Sequence, residues 1–192
     1  MSGAAYFLLG DSAPRDAFIA EALRERIGHH FSSWTDQHDI NFPPHERYFR
    51  NFKRRSKAFV DYMAGQPRHR PIILMGRSSG GRVASFCASR CNATAVVCLA
   101  YPFRRPDNDE DPDRYQHLAT TSTPTLVLQG RSDLYGGADD LSAYKLSASV
   151  SVRSVETDHN MRLQPREWDD VAKTIVSFWH DVLAHRAPVA AF

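Results

Sequence analysis

Ile72-Ile73-Leu74-Met75, followed at once by Gly76-Arg77-Ser78-Ser79-Gly80, decides the fold of this chain. The four apolar residues predict a buried strand. The residues after them carry an apolar stripe at helical spacing, made of Val83, Ala84, Cys87, Ala88 and Cys91. Glycines on both sides of Ser78 let the chain bend sharply between strand and helix, which lifts the serine hydroxyl clear of the sheet. The sequence therefore predicts a strand, a tight turn and a helix around Ser78.

The same alternation runs through the rest of the chain. Apolar runs that predict strands occupy residues 6–9, 72–75, 95–100, 125–129 and 150–155. Helical periodicity covers residues 18–27, 49–63, 83–91 and 168–183. The stretch 29–44 stays open, since Phe31 and Trp34 suggest one short strand and residues 40–42 another. We therefore expect an α/β fold, a three-layer α/β/α sandwich around a mostly parallel sheet of about six strands, as one domain over residues 1–192.

Composition limits the classes of partner. The chain has 192 residues, and its 24 Lys and Arg nearly balance its 22 Asp and Glu, so no large basic field points to nucleic acid. The amino terminus lacks the pattern of a secretory signal, and no apolar run reaches membrane-spanning length. The cysteines Cys87, Cys91 and Cys98 are odd in number, without a Cys-x-x-Cys pair or a nearby histidine. We expect buried, reduced thiols in a cytoplasmic protein, with no disulfide and no metal.

One predicted helix is strongly basic. The cations around it are Arg47, Arg50, Lys53, Arg54, Arg55 and Lys57. A nucleic-acid surface is one interpretation, but this run lacks aromatic residues on its exposed side. We therefore favour a solvated helix face and expect neither a nucleic-acid nor a membrane partner.

Ser78 is informative only if a base and an acid reach it, because a serine hydroxyl is a poor nucleophile on its own. Asp133 follows the predicted strand 125–129, and His159 follows the predicted strand 150–155. Carboxyl ends of parallel strands share one edge of a sheet, so all three side chains are expected to meet there. The remaining histidines precede Ser78, precede the acid or belong to the last helix. Asp139 and Asp140 are alternative acids.

With these residues the chain resembles the α/β-hydrolase superfamily, and among its members the small dienelactone hydrolase-like serine hydrolases. The matching motifs are Gly76 to Arg82, Tyr101-Pro102-Phe103, Gln129-Gly130-x-x-Asp133 and Asp158-His159. The resemblance implies a compact fold without a large lid and cleavage of a small carboxylic ester or thioester without a cofactor. Ser78 would attack the carbonyl, His159 would carry the proton, and Asp133 would fix the imidazole tautomer.

The resemblance also implies two backbone donors for the oxyanion. The amide of Ser79 is one, because it follows the nucleophile. The second would be the amide of Asp11, in Leu9-Gly10-Asp11-Ser12, where similar enzymes often have His-Gly. We expect the Asp11 carboxylate to face outward and cap the helix after Pro14. This departure supports the alternative that the chain is a catalytically weak or inactive scaffold or interaction protein.

The substrate pocket is predicted less sharply. In the superfamily that the chain resembles, a lid is inserted after the strand that here ends at Ala100. Between Ala100 and Pro124 this sequence has only a short polar segment, so nothing long and apolar is available to cover a lipid chain. Acyl-pocket candidates are Tyr101, Phe103, Leu134 and Tyr135, with core packing as the alternative for the aromatic residues. Arg77, Arg104 and Arg105 either meet an anionic substrate or are solvated surface charges. The sequence does not indicate an oligomeric state.

A phosphate-binding loop is the chemical rival at the same turn. Gly76 to Val83 nearly spells Gly-x-x-x-x-Gly-Lys-Ser/Thr after a strand. Arg82 stands in place of the lysine, and Val83 has no hydroxyl for magnesium. Nucleotide binding is therefore disfavoured.

Overall fold

The computed structural model describes residues 3–37, 40, 51–67, 71–107 and 111–185. Six strands form one sheet in the order β2-β1-β3-β4-β5-β6, and every neighbouring pair is parallel. The strands are β1 (Ala4–Leu8), β2 (Ser33–Asp36), β3 (Ile72–Arg77), β4 (Ala95–Leu99), β5 (Thr125–Gly130) and β6 (Val150–Val155). The predicted parallel sheet is confirmed.

Helices cover both faces of this sheet. Over the described residues the α-helices are α1 (Ala17–Ile27), α2 (Phe52–Ala64), α3 (Ser79–Cys87) and α4 (Pro165–Ala184). The apolar cluster on one face joins residues of α1 and α4 to the strands, and the cluster on the other face joins residues of α2 and α3. Two separate cores, one on each side of the sheet, make the three-layer α/β/α sandwich that strand and helix alternation predicts.

Element boundaries differ from the sequence expectations in a few places. The closing helix begins at Pro165, before Trp168, because Gln164 and Glu167 form a capping box at its start. The strand expected near Phe31 is β2, which begins two residues later. Of the second suggested strand, Ile40 lies in a buried bend, and residues 41 and 42 lie outside the described residues.

The basic helix is only partly a solvated face. Arg55 is almost completely buried, so the prediction that it belongs to a solvated surface is wrong. Arg47 and Arg50 lie outside the described residues. The three cysteines are buried free thiols, as expected. Among the described helices, none is both long and apolar enough to cross a lipid bilayer.

The topology gathers the candidate residues at one edge. Ser78 follows β3, and the loops after β5 and β6 carry Asp133 and His159. The loop after β1, the strand next to β3, carries Asp11. Because the strands are parallel, all four loops leave the carboxyl edge of the sheet, where open α/β sheets bind their ligands.

Candidate active site

Ser78 sits at a strained turn between β3 and α3. Its backbone has φ 52° and ψ −124°, in the positive φ region that side-chain-bearing residues rarely adopt. The turn is held by a hydrogen bond from the Ser78 amide to the carbonyl of Leu99, at 2.9 Å. A Cβ on Gly80 would collide with the carbonyls of Leu8 and Leu9, so the glycine allows α3 to approach β1 closely. Tight packing thus fixes a costly backbone conformation that presents the hydroxyl.

The three candidate catalytic side chains form one hydrogen-bonded chain. Ser78 Oγ lies 3.0 Å from His159 Nε2, and His159 Nδ1 lies 2.8 Å from Asp133 Oδ2. Asp133 is completely buried. An ionised carboxylate only accepts, so Nδ1 carries the proton and Nε2 is left to accept from the serine hydroxyl. This is the tautomer that a general base needs.

Further contacts hold the acid and the base in place. The Tyr135 amide donates to Asp133 Oδ1 at 2.8 Å, and Gln129 Nε2 donates to Asp133 Oδ2 at 3.1 Å. The Tyr135 ring stacks on the His159 imidazole, with centroids 4.1 Å apart. The motif Gln129-Gly130 contained this buried glutamine, but its side-chain role depends on tertiary contacts that the sequence did not reveal.

The alternative acids lie elsewhere. Asp139 is exposed and its carboxylate lies 3.9 Å from Arg131. The side chain of Asp140 lies outside the described part of the structure. Asp133 is therefore the carboxylate that the structure brings to His159.

The two predicted oxyanion donors are the amides of Ser79 and Asp11. Ser79 is the first residue of α3, so its amide has no acceptor within the helix. The Asp11 carboxylate is half exposed, accepts from Ser79 Oγ at 2.6 Å and lies 3.6 Å from Arg55 Nη1. The expectation that Asp11 caps a helix is wrong. Helix α1 begins at Ala17 after Asp16, without a side-chain cap hydrogen bond, and the Asp11 carboxylate contacts Ser79 and Arg55 instead.

A buried arginine joins the loop after β1, residues 9–16, to the loop that carries His159. Arg77 Nη1 lies 3.4 Å from Asp16 Oδ2, and Arg77 Nη2 donates to the carbonyl of His159 at 2.9 Å. Asp16 Oδ2 also accepts from the Gly10 amide at 2.9 Å. Arg77 lines the cleft over Ser78, but it is buried and paired with Asp16, so it is not a solvated surface charge.

An open cleft of about 610 Å³ lies over Ser78 and His159. Leu134 and Tyr135 line it, and Leu134 is 68% exposed. Tyr101 and Phe103 do not line it: both are fully buried in the core on the α2 and α3 side. Tyr101 OH there donates to the Arg114 carbonyl at 2.6 Å, so core packing explains these two aromatic residues.

The two remaining candidate arginines differ. Arg105 is exposed, lines the cleft and lies 3.5 Å from the carboxylate of Asp111. Arg104 is half-buried and does not line the cleft. The cleft also contains the carboxylates of Asp107 and Asp158, so its charge is mixed.

Known proteins share this architecture. Est1E from Butyrivibrio proteoclasticus matches with a TM-score of 0.67 and 13% identity, covering 95% of this chain and 89% of that chain. The esterase domain of a Rhodothermus marinus protein gives 0.64 and 15%, covering 93% and 87%. A protein from Xanthomonas campestris pv. campestris assigned to the alpha/beta hydrolase superfamily gives 0.67 and 15%, covering 91% and 98%.

At these identities the structural likeness shows the fold alone. The sequence of residues 35–185 also matches a family of alpha/beta hydrolase domains, over most of the chain. This match does not distinguish the dienelactone hydrolase-like members, so that subtype stays a prediction. The chain belongs to the alpha/beta hydrolase family.

Proposed function

We propose that this protein is a serine hydrolase that cleaves a small carboxylic ester or thioester through an acyl-enzyme on Ser78. One observation carries the proposal: an unbroken hydrogen-bonded chain from Ser78 Oγ through His159 to the buried Asp133, at the floor of an open cleft. A nucleophile, a base and an orienting acid in contact are the groups that acyl transfer requires.

The geometry supports a two-step mechanism. Ser78 Oγ attacks the acyl carbon while His159 Nε2 takes its proton, and Asp133 stabilises the resulting imidazolium. The Ser79 and Asp11 amides donate to the tetrahedral oxyanion. His159 then protonates the departing alcohol or thiol, and the acyl group stays on Ser78. A water molecule, deprotonated by His159, attacks that acyl group; His159 then returns the proton to Ser78 Oγ as the bond to the acyl carbon breaks and the acid leaves.

The cleft favours a small substrate. It is open, and beside the nucleophile it offers the side chains of Leu134 and Tyr135 as apolar surface. Long acyl chains need extended apolar cover, which the residues lining this cleft do not provide. The cytoplasmic location predicted from the cysteine pattern is part of this proposal.

Covalent labelling with a fluorophosphonate tests the proposal. The intact protein should gain one adduct, mapped to Ser78 by peptide mass spectrometry. Ser78→Ala and His159→Ala should lose labelling, whereas Ser132→Ala should keep it, because the Ser132 hydroxyl lines the cleft and donates to the carbonyl of Thr157. An unlabelled but folded wild-type protein would favour the inactive scaffold, which the carboxylate of Asp11 beside the oxyanion donors makes the second candidate.

A series of p-nitrophenyl esters tests the substrate size. We expect kcat/KM to be highest for acetyl and propionyl esters and to decline with longer chains. An optimum at long acyl chains would contradict the open cleft formed by the described residues. Hydrolysis of matched thioesters, measured by the release of the thiol, would decide between oxygen esters and thioesters.

A further inference from the structure

Arg55 is a charged side chain in a place that is hard to explain by stability. It projects from α2, is 1% exposed and lies beneath the nucleophile turn. Among the described residues its Nε has no hydrogen-bond partner. Burying a charge that is incompletely satisfied is unfavourable, and an apolar side chain of similar size often serves stability as well or better. A role in the site would account for this arginine.

The guanidinium of Arg55 holds the start of the loop after β1, which carries the proposed oxyanion donor Asp11. Arg55 Nη2 donates to the carbonyl of Leu9 and, at 2.6 Å, to Gln37 Oε1. Gln37 Oε1 also accepts from the Leu9 amide at 3.0 Å. Both backbone polar groups of Leu9 are therefore held by one buried pair, two residues before the amide of Asp11. The direction of that amide depends on the peptide units that Arg55 and Gln37 hold.

The hydroxyl of Ser79 links the same guanidinium to the Asp11 carboxylate. Ser79 Oγ donates its proton to Asp11 Oδ1 at 2.6 Å, and Arg55 Nη1 donates to Ser79 Oγ at 3.2 Å. A negative charge beside a developing oxyanion opposes the reaction, and a fixed positive charge behind it offsets that repulsion. Although burial lowers the pKa of Arg55 to about 10, the side chain stays charged at neutral pH.

We propose that Arg55 is a positioning residue of the oxyanion site: it aims the Asp11 amide through Leu9 and compensates the Asp11 carboxylate through Ser79. This inference rests on the proposed function of the site. It explains how a loop reading Leu9-Gly10-Asp11-Ser12 serves an oxyanion despite its acidic residue. The role of Arg55 is indirect, because Ser79 and the loop backbone stand between it and the reacting atoms.

A set of variants in the full chain tests the inference. Arg55→Met removes the fork and the charge, Arg55→Lys keeps the charge without the fork, and Lys57→Met is the matched control, since Lys57 is exposed on the same helix. With p-nitrophenyl acetate as the probe, we expect kcat to fall about 100-fold or more in Arg55→Met and about 10-fold in Arg55→Lys, with KM nearly unchanged. Lys57→Met should match the wild type.

The double variant Arg55→Met/Asp11→Asn separates charge compensation from simple loss of structure. Removing the uncompensated carboxylate should restore kcat about 10-fold relative to Arg55→Met alone, which a merely structural role would not produce. If Arg55→Met does not fold by circular dichroism, Arg55→Lys and Arg55→Lys/Asp11→Asn are compared instead. Their expected restoration is smaller, about threefold.

Three results would overturn the inference. One is wild-type kcat in a folded Arg55 variant, another is a double variant no faster than its parent, and the third is a loss that appears in KM alone. Failure of the proposed function gives a different result, because fluorophosphonate would then not label Ser78 in the wild type.

Discussion

Helix α3 and the turn before it carry two serines that each lie close to a histidine, at nearly equal distances. Ser78 at the amino end lies 3.0 Å from His159, and Ser85 near the carboxyl end lies 2.9 Å from His117. Behind His159 stands the buried carboxylate of Asp133, whereas His117 Nε2 faces the hydroxyls of Ser85 and Tyr101. A short serine–histidine distance is thus insufficient to identify a nucleophile.

The two pairs also differ in proton direction. Ser85 Oγ donates to the Arg82 carbonyl at 3.1 Å, which uses its only proton, so the His117 ring donates to Ser85. At Ser78 the carboxylate fixes the opposite arrangement. Burial, followed by the charge of Arg82, lowers the pKa of His117 to about 4, so it is a weak base. The two pairs thus differ in the group behind the histidine and not in the serine–histidine distance, and under the proposed function the carboxylate of Asp133 is what activates Ser78.

Removing that acid should have the largest effect. In Asp133→Asn the amide no longer enforces the Nδ1–H tautomer, so we expect kcat on p-nitrophenyl acetate to fall about 10³- to 10⁴-fold. The measurement is steady-state turnover, with the fold checked by circular dichroism. Turnover within tenfold of the wild type would mean that Asp133 does not orient His159.

Removing Arg77, which links Asp16 to the carbonyl of His159, should have the next largest effect. Arg77→Met leaves the buried Asp16 carboxylate unpaired, and we expect the free energy of unfolding to fall by about 3 to 5 kcal/mol. Urea denaturation measures this, and the double variant Arg77→Met/Asp16→Leu should recover part of the loss. A change below about 1 kcal/mol would mean that the pair is not desolvated.

Lowering the pH should destabilise the protein through His117, the histidine of the second pair. The folded pKa of His117, about 4, lies below its unfolded value of about 6.5. Its contribution to stability is therefore fully present above about pH 6.5 and is lost as the pH falls toward 4, by up to about 3 kcal/mol. Urea denaturation at pH 7 and 4.5 should show a smaller difference for His117→Gln than for the wild type. Equal differences would contradict a buried, neutral His117.

Ser85→Ala should have the smallest effect and completes the comparison with Ser78→Ala. We expect a loss of about 1 kcal/mol in unfolding free energy, because the donor of His117 loses a partner. Turnover should stay within about twofold of the wild type, and fluorophosphonate labelling should persist. Loss of labelling would show that the two pairs are not separate.

Sequence reasoning succeeded where the physics is local or periodic. Apolar runs and helical stripes predicted the sheet and its two helix layers, and chain order alone set His117 aside because it precedes Asp133. It failed where one side chain's environment comes from distant segments. Arg55 looked like one more surface cation, although residues just after β1 and β2 and the start of α3 close around it. For Tyr101 and Phe103 the sequence left a pocket role and core packing open, and the fold places both in the core.

The amino-acid sequence by itself determined the α/β class, the turn that presents Ser78 and the residues that meet it. Each depends on hydrophobic periodicity, on glycine flexibility or on the order of elements along the chain, and all three can be read from the sequence. Only the tertiary structure decided which charges are buried, what neutralises Asp11 and which aromatic residues line the cleft. Burial and pairing depend on segments far apart in the chain, and their free energies arise only when those segments come together.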